Sequence, residues 1–450
     1  MKKLVYIALG MLLATTSCGL HKEYTSNVKV DNHLFGDSVQ IDTLDTANIA
    51  AIPWKEFYTD PKLQALISHA LDNNKDLAIS LKNIDKAQAS LTASRMAYLP
   101  TFAFSPSAGV NKIGDNRLHN YTMPITAQWE LDIFGSITNR KQQAKVALEQ
   151  AYDEVKAVKT ALISNVASAY YDLVMLDRQV EISRETIDLW ENGLGMMKSL
   201  FESGHYYSTA LTQQEASIEG LRINLLNLQD DIRKTENALC LLMGDTPHAI
   251  ERGSFQDFAM PEVVKVGVPA QLLQNRPDVH SAERAIAMAF YGVQGAKAEF
   301  YPHVTLSGSL GWGTEAANPA KFLMSFVSSL FQPLFQGGKL RANLKISEAQ
   351  LEQAQIGFYK ALLTAGNEVV NALQDCQMTE KKHSHVKKQL ECYTKAFNDT
   401  KDLMKNGKAS YLEVIRTQES LLYGQFSEVE NRTNAITSLI ALYTALGGGK

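Results

Sequence analysis

Cysteine is scarce, at 4 in 450 residues, and beyond the N-terminus no apolar run reaches the roughly 18 residues that a membrane-spanning helix needs. The first scarcity excludes a disulfide-stapled secreted domain. With Cys18 set aside, Cys240, Cys376 and Cys392 form an odd set without CxxC spacing, which suits neither bridges nor a metal cluster and fits helix packing better. The second means that any segment crossing a bilayer is a strand. Charge of one sign is missing too: 44 Lys and Arg against 48 Asp and Glu leave a net charge of -4, without the concentrated positive field that nucleic-acid binding requires. The one basic run, Lys381 to Lys388 (KKHSHVKK), lies in helical sequence and reads as a solvated face. No HExxH, P-loop or CxxC occurs, and Gly311 to Ala316 (GWGTEA) only grazes a glycine-rich loop, so the sequence offers no enzymatic chemistry, no cofactor and no metal site. A hydrophobic content of 45% is ample for a large core.

The start marks export. Lys2 and Lys3 precede an apolar stretch from Leu4 to Ala14 and then small residues, a secretory signal too short to span a membrane. LLATTSC, ending at Cys18, resembles a bacterial lipoprotein processing site, with Thr15 where such sites usually carry Leu. That resemblance implies a signal peptide over 1–17 and a covalent lipid on Cys18. Gly19 stands where an Asp, in enteric-type sorting, favours the inner membrane, so an outer-membrane destination is open.

From Ala144 to Phe201, apolar or small residues recur in alternating steps of 3 and 4, the mark of a packed helical seam. Two steps of 4 fall together at Val158, Leu162 and Val166, a stutter that locally unwinds a supercoil. The same seam returns from Ser347 to Met404 with its stutter at Ala361, Ala365 and Val369. Gly204 and Gly407 are separated by 203 positions, as are Gly244 and Gly447, so the pattern predicts an internal duplication. Each copy reads as a helix of roughly 60 residues, a turn (Ser203 to Ser208, or Asn406 to Ser410) and a returning helix of roughly 35, lengths that point to coiled coil. The second copy is more polar, with Thr379, His383 and Thr400 in its seam. Its returning helix carries Gly424, Glu428 and Asn431 where the first has Leu221, Leu225 and Leu228, and the polar Ser438 further on, which predicts a flank facing water.

Two strand candidates precede each long helix: Thr101 to Val110 and Tyr121 to Leu131, joined by Asn111 to Asn120, then His303 to Trp312 and Phe322 to Leu334. Met123, Ile125, Ala127, Trp129 and Leu131 alternate with Thr122, Thr126, Gln128 and Glu130, and Val304 to Trp312 repeats the pattern. Strands of about ten residues, apolar on one face and aromatic near their ends, suit a tilted transmembrane barrel strand. A soluble sheet packed on helices gives the same alternation. If these strands span, four cannot close a barrel, because the smallest barrels need about eight. Several chains then share one wall.

Three further segments carry a family resemblance: Trp54 to Leu77 (with Trp54, Phe57, Asp60, Pro61, Leu63, Ala70, Leu71, Asn74 and Asp76), Val268 to Glu283 (with Leu272, Leu273, Arg276, Pro277, Asp278, Ala282 and Glu283), and the turn from Gly407 to Gln418. Together they resemble the trimeric outer-membrane efflux channels of the TolC type, in the lipoprotein branch serving resistance-nodulation-division pumps. The resemblance implies a mainly α fold with a β part: a homotrimer whose twelve strands form a transmembrane β-barrel, continued by a long α-helical coiled-coil barrel in the periplasm. It divides the chain into 1–17 (signal), 18–98 (lipidated N-terminus and equatorial helix), 99–245 (first repeat), 246–300 (linker and equatorial helix) and 301–447 (second repeat). It also implies a periplasmic gate at Glu413 and Arg416, where Arg416 departs from the acidic type and points to intersubunit ion pairs. Tips at Gly204, His205, Tyr206, Gly407 and Lys408 would face a periplasmic adaptor linked to an inner-membrane transporter. For Arg276, Pro277 and Asp278 physics gives a structural role: proline costs nothing at a helix start, Asp278 favours the helix dipole, and Arg276 is placed to clamp a carboxylate or carbonyls nearby. The expected function is a passive outer-membrane conduit for toxic small molecules. A protein-secretion duct and a soluble coiled-coil lipoprotein scaffold remain open alternatives at this point.

Overall fold

The computed structural model describes residues 22–26, 49–113, 116–203, 208–255, 275–313 and 321–449. Cys18, Gly204, His205 and Tyr206 lie outside the described residues. The chain divides into two compact units, the first from Met1–Lys29, Leu81–Glu154 and Asp278–Ala361, the second from Val30–Ser80, Val155–Pro277 and Leu362–Lys450.

The first unit holds the sheet. Its strands are β1 (Thr101–Phe104), β2 (Ser107–Ile113), β3 (Asn116–Leu131), β4 (His303–Gly313) and β5 (Lys321–Phe331), all antiparallel, in the order β1-β3-β4-β5 with β2 also on β3. The expected first strand, Thr101 to Val110, is split at Ser105 and Pro106, because proline has no N–H for the ladder. The expected loop from Asn111 to Asn120 is mostly strand: Asn111, Lys112 and Ile113 pair with Leu118, Arg117 and Asn116, so ladder bonds override turn-prone residues. β5 ends at Phe331 rather than Leu334, since Pro333 cannot continue it and the Gln332 side-chain amide donates to the Phe300 carbonyl at 3.1 Å.

Helices α2 (Pro61–Asn73) and α3 (Lys75–Met96) stand where one equatorial helix is expected within 18–98. A short helix, α1 (Trp54–Phe57), precedes them. The break is at Asn74, whose Oδ1 accepts from Leu77 N and whose Nδ2 donates to the Leu242 carbonyl, both at 2.8 Å. The long elements are α4 (Ser136–Glu202), α5 (Ser208–Met243), α7 (Lys339–Lys405) and α8 (Tyr411–Ala445), with α6 (Pro277–Ala298) between the two pairs. Helices α4 and α7 are both 67 residues and begin 203 positions apart. At 1.5 Å per residue each is about 100 Å long. The Asp132 carboxylate starts α4 by accepting from Ile137 N at 2.9 Å and Thr138 N at 2.7 Å.

In the second unit the seams are buried as helix-on-helix contacts. Ile187 and Trp190 of α4 pack on Ile218 and Leu221 of α5, with Leu422 of α8 against them. Val369, Ala372 and Leu373 of α7 pack on Leu442 and Tyr443 of α8. Every seam position from Ser347 to Met404 is buried or half-buried, His383 among the half-buried ones. The watery flank expected on α8 is not found where it was placed: Gly424 and Asn431 are buried. A Cβ on Gly424 would lie 2.8 Å from the Tyr393 ring, so the missing side chain is filled by its neighbour's aromatic group rather than by solvent. Of the cysteines, Cys240 is buried in this core, and burial pushes the Cys376 thiol up to about 11.

Candidate functional site: a two-faced sheet and a helical tip

Register sorts the sheet by face. Because directly opposed residues share a side, Phe104, Ile125, Leu310 and Met324 form one row, and Phe102, Ala127, Gly308 and Phe326 the next. Leu131, Val304 and Leu330 continue this apolar side. The opposite side carries Thr126, Ser309 and Ser325, then Glu130, Thr305 and Ser329. Its polar groups bond along the rows, Ser309 and Ser325 hydroxyls at 2.7 Å and Ser107 and Thr122 at 2.7 Å, and diagonally between rows, His303 with Glu130 at 3.4 Å. β5 blurs the division most, with Leu323, Val327 and Phe331 on the polar side and Ser328 on the apolar one.

The apolar side is bare. Ile125, Met324 and Phe326 are 51%, 79% and 74% exposed, a continuous oily surface that a water-soluble sheet would cover. Aromatic groups bound it at both ends. Trp312 meets Phe322 edge-on at 5.6 Å at one end, and Trp129 donates its indole N–H to the Tyr98 carbonyl at 2.8 Å at the other. Strands β4 and β5 are each 11 residues, the length of a tilted bilayer-spanning strand. Both outer strands leave an edge unpaired among the described residues, β1 with β2 on one side and β5 on the other.

The tip belongs to the second unit. Gly407, at φ 70, takes the left-handed position that ends α7, and Lys408 N returns to the Leu403 carbonyl at 2.9 Å. Ser410 then caps α8 and Glu413 completes a capping box, its carboxylate accepting from Ser410 N at 2.6 Å and Ser410 Oγ at 3.0 Å. These two bonds, with Arg416 adding, hold the Glu413 carboxyl below its ordinary range. Glu413 and Arg416 are both exposed. Behind them Met197, Leu211, Tyr411 and Ile415 form a buried cluster. Gly193 of α4 lies against it so closely that a Cβ there would fall 1.8 Å from the Tyr411 hydroxyl. The Gly193–Tyr411 contact escapes a reading of periodicity, though a glycine inside a long helix, which costs about 1 kcal/mol relative to alanine, is itself a signal of close approach. The S-x-x-E spacing of Ser410 and Glu413 was equally legible as a cap.

Arg276 is buried in the second unit. Its Nη2 meets the Glu368 carboxylate at 2.6 Å and its Nη1 donates to the Ala445 carbonyl, at the end of α8, at 2.9 Å. Pro277 opens α6, and Asp278 in its first turn accepts from Val279 N at 2.9 Å. Among the described residues no group of three His, Cys, Asp or Glu converges as a metal site, and no helix is long and apolar enough to cross a membrane.

The chain matches the outer membrane efflux protein family over residues 66–245 and 268–448. It is 29% identical over 408 residues to the solvent efflux pump outer membrane protein SrpC of Pseudomonas putida, spanning 88% of this chain and 87% of SrpC. It is 26% identical over 407 residues to the probable outer membrane lipoprotein SilC of Salmonella typhimurium, spanning 88% of this chain and 88% of SilC. A crystal structure of CusC, described in connection with transmembrane channel formation, shares the fold with a TM-score of 0.82 at 23% identity, covering 95% of this chain and 99% of that one. The two matched segments take in most of the chain, and on that ground it belongs to the outer membrane efflux protein family.

Proposed function

We propose that three copies of this outer-membrane efflux channel close one barrel, each contributing the sheet described above, with the Ile125 side on lipid and the Thr126 side lining the lumen. The observation that carries this reading is a sheet with a bare apolar face and two open edges, since lipid leaves no backbone edge unsatisfied. Helices α4, α5, α7 and α8 of the three copies continue the wall as a periplasmic coiled-coil tunnel, and the equal lengths and 203-residue offset of α4 and α7 support an origin by internal duplication. Cys18 carries the lipid anchor, in keeping with the lipoprotein name of the relative SilC. The conduit is passive: it exports small toxic molecules taken up by an inner-membrane transporter of the resistance-nodulation-division class, through a periplasmic adaptor that meets the tips at Gly204, His205, Tyr206, Gly407 and Lys408.

The gate lies at the tip, around Glu413 and Arg416. Gln214, fully buried, and Gln418 carry amide atoms with no partner among the described residues, and each such atom costs about 1–3 kcal/mol in the packed state. That cost lowers the barrier to parting α8 from α4 and α5. Replacing Gly193 with alanine drives a methyl group into the Tyr411 hydroxyl, an overpacking of about 1–3 kcal/mol. If the contact belongs to the closed form, the open-to-closed ratio rises by about 5- to 150-fold. Single-channel recording in planar bilayers checks this, and an unchanged closed-state leak removes Gly193 from the gate.

The assembly itself is tested by mass measurement of the purified chain in mild detergent, where a trimer with steady ion conductance is expected and a folded, sealed monomer ends the proposal. Cys18→Ser with cleavage preserved is expected to stay in the membrane fraction. Release into the soluble fraction favours the lipid-held scaffold instead.

A further inference from the structure

All four connections at one end of the sheet run into helices, and they carry unmatched positive charge. Residues 96–101, 131–136, 298–303 and 331–339 meet there, because Thr101 lies opposite Gln128, Leu131 opposite Val304 and His303 opposite Phe331. Within about two helical turns of this end stand six exposed cations, Arg95, Arg140, Lys297, Lys339, Arg341 and Lys345. None lies within ion-pair distance of a carboxylate among the described residues; the Lys and Arg pairs of this unit involve other cations, Lys82 with Asp85, Lys145 with Glu149, and Arg284 with Glu149 and Asp153. Of the carboxylates at the same level, Asp132 caps α4 and Glu130 faces His303, and Glu299, half-buried in the connection itself, offsets one of the six charges.

The excess is local. The whole chain carries a net charge of -4, yet this collar is strongly positive, and neither α4 nor α7 has an acidic residue in its first turn. Lys339 and Arg341, in the first turn of α7, work against its dipole and destabilise it unless an anion is nearby, whereas Arg95 and Lys297 stand in the last turns of α3 and α6, where a cation is favourable. Lys141 sits 5.2 Å over the Tyr98 ring, the same Tyr98 whose carbonyl receives the Trp129 indole, so the charges begin where the aromatic boundary ends. A groove of about 280 Å³ between α4, α6 and α7, lined by Ser136, Arg140, Gln143, Asn343 and the carboxylate Glu299, opens at this level.

We propose that this collar binds the phosphates of anionic phospholipid headgroups in the leaflet facing the periplasm, and that it fixes the depth of the channel in the membrane. The proposal rests on the lipid-facing reading of the sheet. A cation near an anionic surface gains about 1 kcal/mol, or about fivefold in local lipid preference.

The full-length chain is reconstituted into vesicles of phosphatidylcholine with a minor share of phosphatidylglycerol, captured with its boundary lipid in polymer nanodiscs, and the lipids are quantified by mass spectrometry. Phosphatidylglycerol is expected about fivefold above its bulk share at low salt, falling towards bulk as salt screens the collar. The combined variant Arg140→Gln, Lys297→Gln, Lys339→Gln, Arg341→Gln is expected to lose the enrichment. A control variant with Lys381, Lys382, Lys387 and Lys388 each changed to Gln keeps it. A chain that integrates but carries bulk lipid, or whose enrichment survives the collar variant, overturns this inference alone. A chain that never integrates overturns the channel reading and takes the collar with it.

Discussion

Ile125→Arg is expected to abolish assembly in the outer membrane, while Ser309→Arg, one row away on the opposite face, leaves it largely intact. Ile125 stands in the row with Phe104, Leu310 and Met324, between the aromatic boundaries. A cation at the bilayer midplane on the lipid face costs about 2–4 kcal/mol, and a trimer carries it three times over. A sum of about 6–12 kcal/mol matches the whole stability of a typical domain, about 5–15 kcal/mol. Ser309 shares its row with Thr126 and Ser325, where water in a lumen solvates an added guanidinium. Membrane flotation and the heat-sensitive trimer band on gels distinguish the two. Equal tolerance of both substitutions means that the Ile125 face does not meet lipid.

The face assignment was legible because period-two alternation states which residues share a side. It does not state which strand is the neighbour. That β3 pairs with β4, joining the two hairpins into one sheet, depends on residues some 180 positions apart and leaves no local trace. The long helices were legible for a similar reason, since steps of 3 and 4 sustained over so many residues have no other regular explanation. Where the sequence misled, non-local packing had decided the outcome. Asn111 to Asn120 is rich in turn formers and became ladder, and Gly424 looked like a wet position until the Tyr393 ring filled it. At the tip, family resemblance points to Glu413 as a gate residue, while its spacing from Ser410 describes a helix cap, the role its contacts have in the fold. Gly193 and Tyr411 lie on different hairpins, so only the folded chain brings them together.

Arg276 sets the second large effect. Its guanidinium is planar and forked, which lets one side chain satisfy the Glu368 carboxylate and the Ala445 carbonyl at once. The carbonyl closes α8, so the positive charge also meets the negative end of that helix's dipole. Nothing in the sequence named those partners. Arg276→Leu removes both bonds and is expected to cost about 2–3 kcal/mol, less than a fully buried pair because half-exposed Glu368 regains water. Arg276→Lys keeps the charge but not the fork and falls between leucine and the native residue. Glu368→Gln costs under about 1 kcal/mol, since an exposed partner contributes little and an amide oxygen still accepts. Thermal unfolding of the purified assembly reads the order Leu, Lys, Gln from largest loss to smallest. If the Glu368 variant proves as damaging as Arg276→Leu, the ion pair holds the site together; if leucine changes nothing, the bond to the end of α8 is not what this arginine provides.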